Sequence, residues 1–233
     1  MKQPTFISAL NVDLLEHMAS DAIVARRARV STNGAKMPPK TKDVGLIGML
    51  MRDRHGLPFE HCVFSFEIHC PIFVMRELMR HRIASYSEES ARYRTLEPVF
   101  YRPAADRKLV QTGKVGAYHF EPGSEDQIEH AQEAVEGLSF AAYQQYDDML
   151  LDGIAREVAR MVLPVNIYST VHMTINARSL MNLLSLRVID PDSTYPSFPQ
   201  WEIEQVARQM EEAFAEKMPV THAAFVKAGR VAP

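Results

Sequence analysis

Arginine, glutamate and serine side chains are concentrated in one segment of the sequence, residues 76–94, where they could bind an anion. Arg76 and Arg80 are four residues apart and share one face of a predicted helix. Further arginines and serines follow in a segment that can fold back over the helix end: Arg82, Ser85, Ser87, Ser90 and Arg92. Guanidinium groups bind phosphate in a bidentate geometry that lysine cannot reproduce. Glu88 and Glu89 could orient the arginines or accept a hydrogen bond from a ribose hydroxyl. The segment favours a phosphate site slightly over the alternative, a cationic helix C-terminus followed by a solvated loop.

Two smaller polar clusters lie further along the chain. Arg156 and Arg160 share a helical face, a pattern that is more often an ordinary amphipathic surface. Asn176, Arg178 and Asn182 lie on a predicted helix that is otherwise rich in leucine and methionine. Burying such groups without partners is costly. A bound polar ligand and hydrogen bonds between helices are equally good ways to satisfy them, and Asn176 could also cap the helix.

Other site chemistries find little support in the sequence. His55, His61, His69 and His81 do not have the spacing of a structural zinc site, so no metal is predicted. Cys62 and Cys70 share a face of one predicted strand and are expected to be buried, unreactive thiols. The sequence contains no P-loop, no G-x-S-x-G motif and no G-x-G-x-x-G motif.

The composition is that of an ordinary globular protein with a substantial core. The 233 residues are 46% hydrophobic and 24% charged, which argues against wholesale disorder. The formal net charge of −3 argues against a nucleic-acid coat or a polybasic membrane adaptor. No apolar run reaches the ~18 residues of a membrane span, and the N-terminus resembles no secretory signal. These features predict one domain over residues 1–233 in a reducing compartment, the cytoplasm, with no nucleic-acid or membrane partner.

Periodicity and capping residues predict a mixed α and β domain. Ser20 and Asp21 are expected to cap a helix over 22–30, and Val44, Ile47, Leu50 and Met51 to form the buried face of a helix over 41–54. Further helices are predicted from Pro71 to about residue 82 and over 124–151, 154–163, 176–187 and 201–217. Strands are predicted over 5–13, 62–70 and 167–175. Irregular structure is expected over 85–94, 96–124 and 188–200, and residues 228–233 are expected to be frayed.

One motif connects the first cluster to a known family. Arg80-His81-Arg82, followed after seven residues by Ser90, matches R-H-R-x7-S, and in this the sequence resembles the flavin-dependent thymidylate synthases. Six further blocks of the family occur in family order, within roughly residues 12–225: 28–31, 58–61, 71–74, 156–160, 176–182 and 200–203. The motif and the six blocks together include all three polar clusters, so the resemblance covers most of the chain.

The resemblance implies a fold and a reaction. The fold is α+β, with a mixed, largely antiparallel sheet flanked by long helices, as in the thymidylate synthase complementing proteins. The reaction makes dTMP from dUMP, with methylenetetrahydrofolate as carbon donor and NADPH as the source of electrons through FAD, and without a cysteine nucleophile. The resemblance also implies a homotetramer with active sites between subunits.

Site residues follow from the matched positions. The resemblance implies that dUMP is bound by Glu77, Arg80, Glu88, Glu89, Ser90, Ala91, Arg92, Arg160 and Arg187. It implies that FAD is bound by Ser31, His55, Glu60, Arg80, His81, Arg82, Asn176, Arg178, Asn182 and Leu186. Arg187 is the implied catalytic group, because a guanidinium beside uracil N3 and O4 stabilises the enolate-like ring. Ser90 has no adjacent base in the motif, so it is assigned to phosphate binding rather than to nucleophilic attack.

The sequence departs from the family pattern at three places. Ser87 stands where many members have asparagine, and Glu77 where others have glutamine. Residues 188–199 form a longer loop, without the histidine that contacts the flavin in many members. Either another residue, for which Tyr195 is the candidate, takes this contact, or the affinity for flavin is weaker. Two alternatives stay open: a nucleic-acid-binding module that uses residues 76–94, disfavoured by the net charge and by few interleaved aromatics, and an inactive homologue that binds nucleotide as a regulator.

Overall fold

The computed structural model describes residues 2–34, 43–115 and 117–233, which form an α+β structure. In chain order the strands and helices are β1 (Thr5–Ile7), β2 (Asn11–Met18), α1 (Asp21–Asn33), α2 (Asp43–Arg52), α3 (Leu57–Glu60), β3 (Val63–Pro71), α4 (Ile72–Leu78), β4 (Ala84–Glu88), β5 (Val99–Tyr101), β6 (Val110–Lys114), β7 (Ala117–Glu121), α5 (Glu125–Leu151), α6 (Arg156–Ala159), β8 (Tyr168–Asn176), α7 (Ala177–Arg187), α8 (Trp201–Lys217) and α9 (Pro219–Lys227). A short 3₁₀ turn, Arg160–Val162, follows α6.

An antiparallel four-stranded sheet, in the order β2-β3-β8-β4, positions the helix that carries the third polar cluster. Along β3, Phe64, Phe66 and Ile68 are buried while Ser65 and Glu67 are half-buried, so the predicted alternation is confirmed. The strand β8 alternates in the same way and leads directly into α7. The two strands therefore each present one face to the core, as the period of two predicts.

The chain divides into two compact units. The first comprises residues 1–10, 69–78 and 88–171, and the second comprises residues 11–68, 79–87 and 172–233. A cluster of buried side chains forms the core of the first unit: Ala91, Leu96, Phe100, Tyr143, Tyr146, Ala159 and Ile167. In the second unit α7 packs against α8, and Phe214 meets Phe64 edge-on with ring centroids 6.0 Å apart. The extent of a single domain stays a prediction.

Several helix boundaries are set by the capping residues that the sequence indicates. The Ser20 side chain accepts a hydrogen bond from the Ile23 amide at the start of α1. Ser124 and Gln127 form a reciprocal capping box at α5. Asn176 caps α7, with its Oδ1 accepting from the Ser179 amide at 2.9 Å. Satisfying these terminal amides fixes where each helix begins.

Three predicted helices are shorter than their sequence patterns indicate. The helix predicted over 154–163 is limited to α6, Arg156–Ala159, and the 3₁₀ turn that follows it. The helix α2 runs from Asp43 to Arg52, with Val44 68% exposed rather than on the buried face, and the predicted start at 41–42 lies outside the described residues. The helix α4 ends at Leu78 and begins after Pro71, the last residue of β3. Arg80 therefore lies beyond the helix and shares no helical face with Arg76.

Two predictions of irregular structure are wrong in part, and one predicted strand is divided. Residues 84–88 form β4. Within 96–124, β5 pairs in parallel with β1, and β6 and β7 form an antiparallel hairpin. The strand β5 is stabilised by pairing with the distant β1, which local composition does not reveal, whereas β6 and β7 stabilise each other. The single strand predicted over 5–13 is two strands, β1 and β2, separated by residues 8–10.

The C-terminal residues are packed rather than frayed. Arg230 is 4% exposed, and its guanidinium donates to Glu211 Oε1 at 2.7 Å and to Oε2 at 2.8 Å. Burial alone raises the pKa of Glu211, but hydrogen bonds from His222 and Arg230, with the charges of both, outweigh it and lower the pKa to about 2. Gly229 has a φ of 66°, and a Cβ there would clash with the Thr194 side chain. The prediction of a frayed C-terminus is wrong because the ion pair between Arg230 and Glu211 is a tertiary contact, which local composition does not reveal.

Across the described ranges 2–34, 43–115 and 117–233, no helix has the combined length and apolar character needed to cross a membrane.

Candidate active site

A cavity of about 290 Å³ in the first unit brings together five residues that the sequence assigned to nucleotide binding. We call it the Ser90 cavity. These five lining residues are Glu88, Glu89, Ser90, Ala91 and Arg160, and the others are Ile72, Leu96, Leu163, Ile167 and Ser169. Arg160 arrives from the turn after α6, and the acidic and serine side chains from the end of β4 and the turn behind it. Residues far apart in sequence thus surround one small space.

A tight turn holds Ser90 at the cavity. Its carbonyl accepts hydrogen bonds from the Tyr93 and Arg94 amides at 3.0 and 3.1 Å. Its Oγ accepts from the Arg92 amide at 3.3 Å, which leaves the hydroxyl hydrogen for another acceptor. Just before the turn, the Glu89 amide donates to the Thr170 carbonyl at 2.9 Å and ties the segment to β8. The turn therefore holds the backbone of Ser90 in place and keeps its hydroxyl, a hydrogen-bond donor, at the cavity.

Ion pairs around the cavity offset part of its negative charge. Arg94 Nε lies 3.1 Å from Glu89 Oε1. Arg92 is paired through its Nε with Glu157 Oε2 at 2.9 Å, and both side chains are about half exposed. An exposed pair of this kind contributes little stability, so the Arg92 guanidinium can exchange partners at small cost. Arg92 does not line the cavity, and neither does Glu77, which is half-buried on α4.

In the second unit, Arg187 and His81 form a hydrogen-bonded pair. Arg187, the last residue of α7, donates from Nε to His81 Nε2 at 3.1 Å. Burial, reinforced by the charge of Arg187, lowers the pKa of His81 to about 4. The imidazole is therefore neutral near pH 7 and can accept this hydrogen bond. The His81 carbonyl in turn accepts from the Tyr86 hydroxyl at 2.9 Å, and burial raises the pKa of Tyr86 to about 12.

The face of α7 that carries Arg178, Asn182 and Leu186 is exposed, and these residues recur every four positions. Three leucines and Met181 form the buried side of α7. Arg178 donates to Glu60 Oε1 at 2.6 Å and, through Nε, to the Pro233 carbonyl at 2.6 Å. Asn182 Nδ2 donates to the Arg178 carbonyl at 3.2 Å.

Gly56 makes this arrangement possible, although sequence analysis did not single it out. A Cβ at position 56 would lie 2.5 Å from Arg178 Nε and 2.8 Å from the Pro233 carbonyl oxygen. Only a residue without a side chain leaves Arg178 in its place. The contact of Gly56 with α7 has no signal in the sequence.

The remaining residues predicted to bind FAD are mostly at the surface of the second unit. Ser31, His55, Arg80 and Arg82 are exposed, and the Ser31 hydroxyl donates to the Ala28 carbonyl at 3.0 Å. Asn176 is half-buried and its Oδ1 caps α7. Their roles in cofactor binding stay predictions.

The loop after α7 is tied to the C-terminal segment. The Thr194 amide donates to the Gly229 carbonyl at 2.9 Å, and Asp190 lies 3.4 Å from the Arg230 guanidinium. Tyr195, at the centre of the loop, is 72% exposed. Its contact with a flavin also stays a prediction.

Comparison with known proteins decides the family. A family model described as Thymidylate synthase complementing protein matches residues 13–220. The chain is 55% identical over 234 residues to the flavin-dependent thymidylate synthase of Tropheryma whipplei strain TW08/27, covering 99% of this chain and 98% of that protein. The chain belongs to the flavin-dependent thymidylate synthase family. It is also 51% identical to the member from Streptomyces avermitilis, over 99% of this chain and 96% of that protein.

Two solved structures share the fold of this flavin-dependent thymidylate synthase. The UMP/dUMP methylase PolB from Streptomyces cacaoi bound with 5-Br UMP has a TM-score of 0.94 and 46% identity, covering 100% of both chains. PolB bound with 5-Br dUMP has a TM-score of 0.92 and 48% identity, covering 98% of this chain and 99% of that one. The predicted α+β fold is confirmed, and so is the prediction of an enzyme, which replaces the nucleic-acid-binding alternative.

Membership of the family implies FAD as cofactor, and the exposed face of α7 fits such a group. Arg178 and Asn182 offer hydrogen-bond donors suited to phosphate and carbonyl oxygens, and Leu186 is an exposed apolar side chain, 58% accessible. Glycine at position 56 leaves the room that the Arg178 guanidinium occupies, and so allows Arg178 its place on this face. These observations support a cofactor site on this face.

Both cysteines are buried, as expected. Burial raises the pKa of Cys62, and it raises the pKa of Cys70 to about 12. We expect the double variant Cys62→Ala, Cys70→Ala to keep at least a third of the parent turnover, because protonated buried thiols are poor nucleophiles. Initial rates of dTMP formation, with circular dichroism as the control for folding, test this. Complete loss of turnover in a folded double variant would show that a thiol takes part.

Proposed function

We propose that the Ser90 cavity binds dUMP, and that the enzyme methylates it to dTMP. The observation that supports this most strongly is the cavity itself, because residues 88–91 and Arg160 line one space although they are distant in sequence. The set combines a guanidinium, a hydroxyl donor and carboxylate acceptors, which a nucleoside monophosphate requires. We assign the phosphate to Arg160 and Ser90 and a sugar hydroxyl to Glu88.

Charge balance supports the same assignment. Two glutamates beside a phosphate would repel it, but the charge of Glu89 is offset by an ion pair in which Arg94 Nε lies 3.1 Å from Glu89 Oε1. Arg92 adds a guanidinium close to the Ser90 turn, and its exposed pair with Glu157 is weak enough to yield to a phosphate. Glu77 and Arg80 complete the proposed dUMP set.

We propose that Arg187 is the catalytic group that activates the pyrimidine. A guanidinium beside N3 and O4 favours the ionised, enolate-like ring and makes C5 nucleophilic. Neutral His81 accepts from Arg187 Nε at 3.1 Å and so directs the remaining N–H groups of the guanidinium away from itself. This pairing is the reason that we expect the orientation of Arg187 to be fixed before the substrate binds.

For the cofactor, we propose that FAD is held by the residues that the resemblance implies: Ser31, His55, Glu60, Arg80, His81, Arg82, Asn176, Arg178, Asn182 and Leu186. When bound, reduced FAD supplies the hydride that the reaction needs, with NADPH and methylenetetrahydrofolate as co-substrates. Glu60 has a defined task, since its carboxylate holds the Arg178 guanidinium at 2.6 Å. Arg178 would then bind the cofactor as an oriented fork rather than as a mobile charge.

We also propose that the enzyme works as a homotetramer with active sites at subunit interfaces. The resemblance implies active sites between subunits, and the residues predicted to bind dUMP and FAD are divided between the two units. Assembly from several copies would give each group of residues a site. Sedimentation equilibrium of the purified protein measures this directly, and a monomer at working concentration would contradict it.

A test of the nucleotide site is the substitution Arg160→Ala. We expect the KM for dUMP to rise at least tenfold, because a charge-assisted hydrogen bond to phosphate is lost, while the retained FAD is unchanged. The matched control is Arg156→Ala, an exposed arginine one helical turn earlier that does not line the cavity. An unchanged KM in Arg160→Ala would contradict the assignment. The KM for UMP is measured in the same way, because PolB is named as a methylase of UMP as well as dUMP.

A further inference from the structure

One buried hydroxyl in the Ser90 cavity has no role in the site described so far. Ser169 lies on β8, is 2% exposed and lines the cavity. Within the described residues, its Oγ is buried and has no hydrogen-bond partner. An unpaired buried hydroxyl is unfavourable and uncommon in a native structure. Its position against a cavity indicates that the missing partner belongs to a ligand.

Part of the cavity wall is apolar. Ala91, Leu96 and Ile167 line the cavity and belong to the core of the first unit. The backbone on either side is held rigidly, since the next residue, Thr170, accepts from the Glu89 amide at 2.9 Å. Rotation about the Cα–Cβ bond can direct the hydroxyl without moving this backbone.

We propose that Ser169 is a further dUMP-binding residue whose hydroxyl donates a hydrogen bond to the phosphate. This inference rests on the proposed function of the cavity. Ser169 adds a third donor to Ser90 and Arg160, and these three supply the groups that a phosphate accepts from. Glu88 and Glu89 are acceptors and suit the sugar instead. Ser169 therefore contributes to the preference for the nucleotide over the nucleoside.

The test measures dUMP and 2′-deoxyuridine binding by calorimetry on the purified flavoprotein and its variants. Ser169→Ala removes the hydroxyl, and Ser169→Cys keeps the side-chain size with a much weaker donor. We expect both variants to bind dUMP about tenfold more weakly and to bind 2′-deoxyuridine as the parent does. The control is Ser139→Ala in the same unit, a buried serine that accepts from Asn166 at 2.9 Å outside the cavity. It should lower the melting temperature and leave dUMP affinity unchanged.

The outcomes distinguish the role of Ser169 from the role of the cavity as the nucleotide site. Parent affinity for dUMP in Ser169→Ala, with weakened binding in Arg160→Ala, overturns the role of Ser169 and leaves the cavity as the nucleotide site. Parent affinity in both variants overturns the site as well. Weakened binding in Ser169→Ala but not in Ser169→Cys attributes the effect to packing and overturns the hydrogen bond. An equal loss for dUMP and 2′-deoxyuridine overturns the assignment to the phosphate.

Discussion

Arg187→Ala should reduce dTMP formation by about three orders of magnitude, the effect of removing a preorganised donor from a developing negative charge. The side chain lies at the end of α7 and makes its hydrogen bond with His81 at 3.1 Å. Its loss leaves α7 capped by Asn176 and packed through its buried leucines, so we expect the fold and the bound FAD to persist. Arg187→Lys should be almost as inactive, because an ammonium cannot replace the planar fork.

The same substitution has a second readout at His81. Its pKa is about 4 because of burial and, to a smaller extent, because of the charge of Arg187. In the parent, His81 is neutral above about pH 4 and should show no titration near pH 6.5. In Arg187→Ala the pKa should rise but stay below 6.5, since burial remains. An NMR titration of the histidine ring measures both values. Parent turnover in a folded Arg187→Ala enzyme would refute the catalytic role.

Gly56→Ala should lower FAD affinity at least tenfold without unfolding the enzyme. The new methyl group would lie 2.5 Å from Arg178 Nε. The Arg178 side chain and the Pro233 carbonyl, which would lie 2.8 Å from the methyl group, must both move, so the contacts of Arg178 with Glu60 and with this carbonyl are lost together. The backbone at Gly56 has a φ of −71°, which alanine adopts without strain. The change therefore acts through Arg178 rather than through the turn.

The matched control is Gly48→Ala. A Cβ at this position in α2 meets nothing within 4 Å, and alanine favours the helix by about 0.5–1 kcal/mol. This variant should bind FAD as the parent does and melt at the same or a higher temperature. Fluorescence titration of the apoprotein with FAD compares the two. If Gly56→Ala binds FAD as tightly as Gly48→Ala, Arg178 does not hold the cofactor.

The features that sequence reasoning predicted well are those encoded in neighbouring residues. The alternation of Phe64 and Phe66 with Ser65 requires only the period of a strand. The cap at Asn176 and the capping box at Ser124 depend on side chains within three positions of the helix start. The grouping of residues 88–91 with Arg160 was predicted through the family resemblance, and the cavity brings these residues together.

The features that sequence reasoning missed depend on contacts between distant residues. Gly56 is required because Arg178 passes it at close range. The C-terminal residues are ordered because Arg230 pairs with Glu211. Ser169 gave no signal, since one serine in an alternating strand looks like any other polar position. For Gly56 and Arg230 the decisive partner is remote in the chain, and no local pattern encodes it.

The most direct test of the central claim is a single-turnover experiment on the purified protein after incubation with FAD and desalting. Before any reductant is added, we expect a retained flavin band in the visible spectrum. With NADPH, methylenetetrahydrofolate and dUMP, we then expect formation of dTMP, at least tenfold slower in Arg160→Ala at the same subsaturating dUMP concentration. A protein that retains FAD and binds dUMP but forms no dTMP would contradict this account and would support a nucleotide-binding regulator instead.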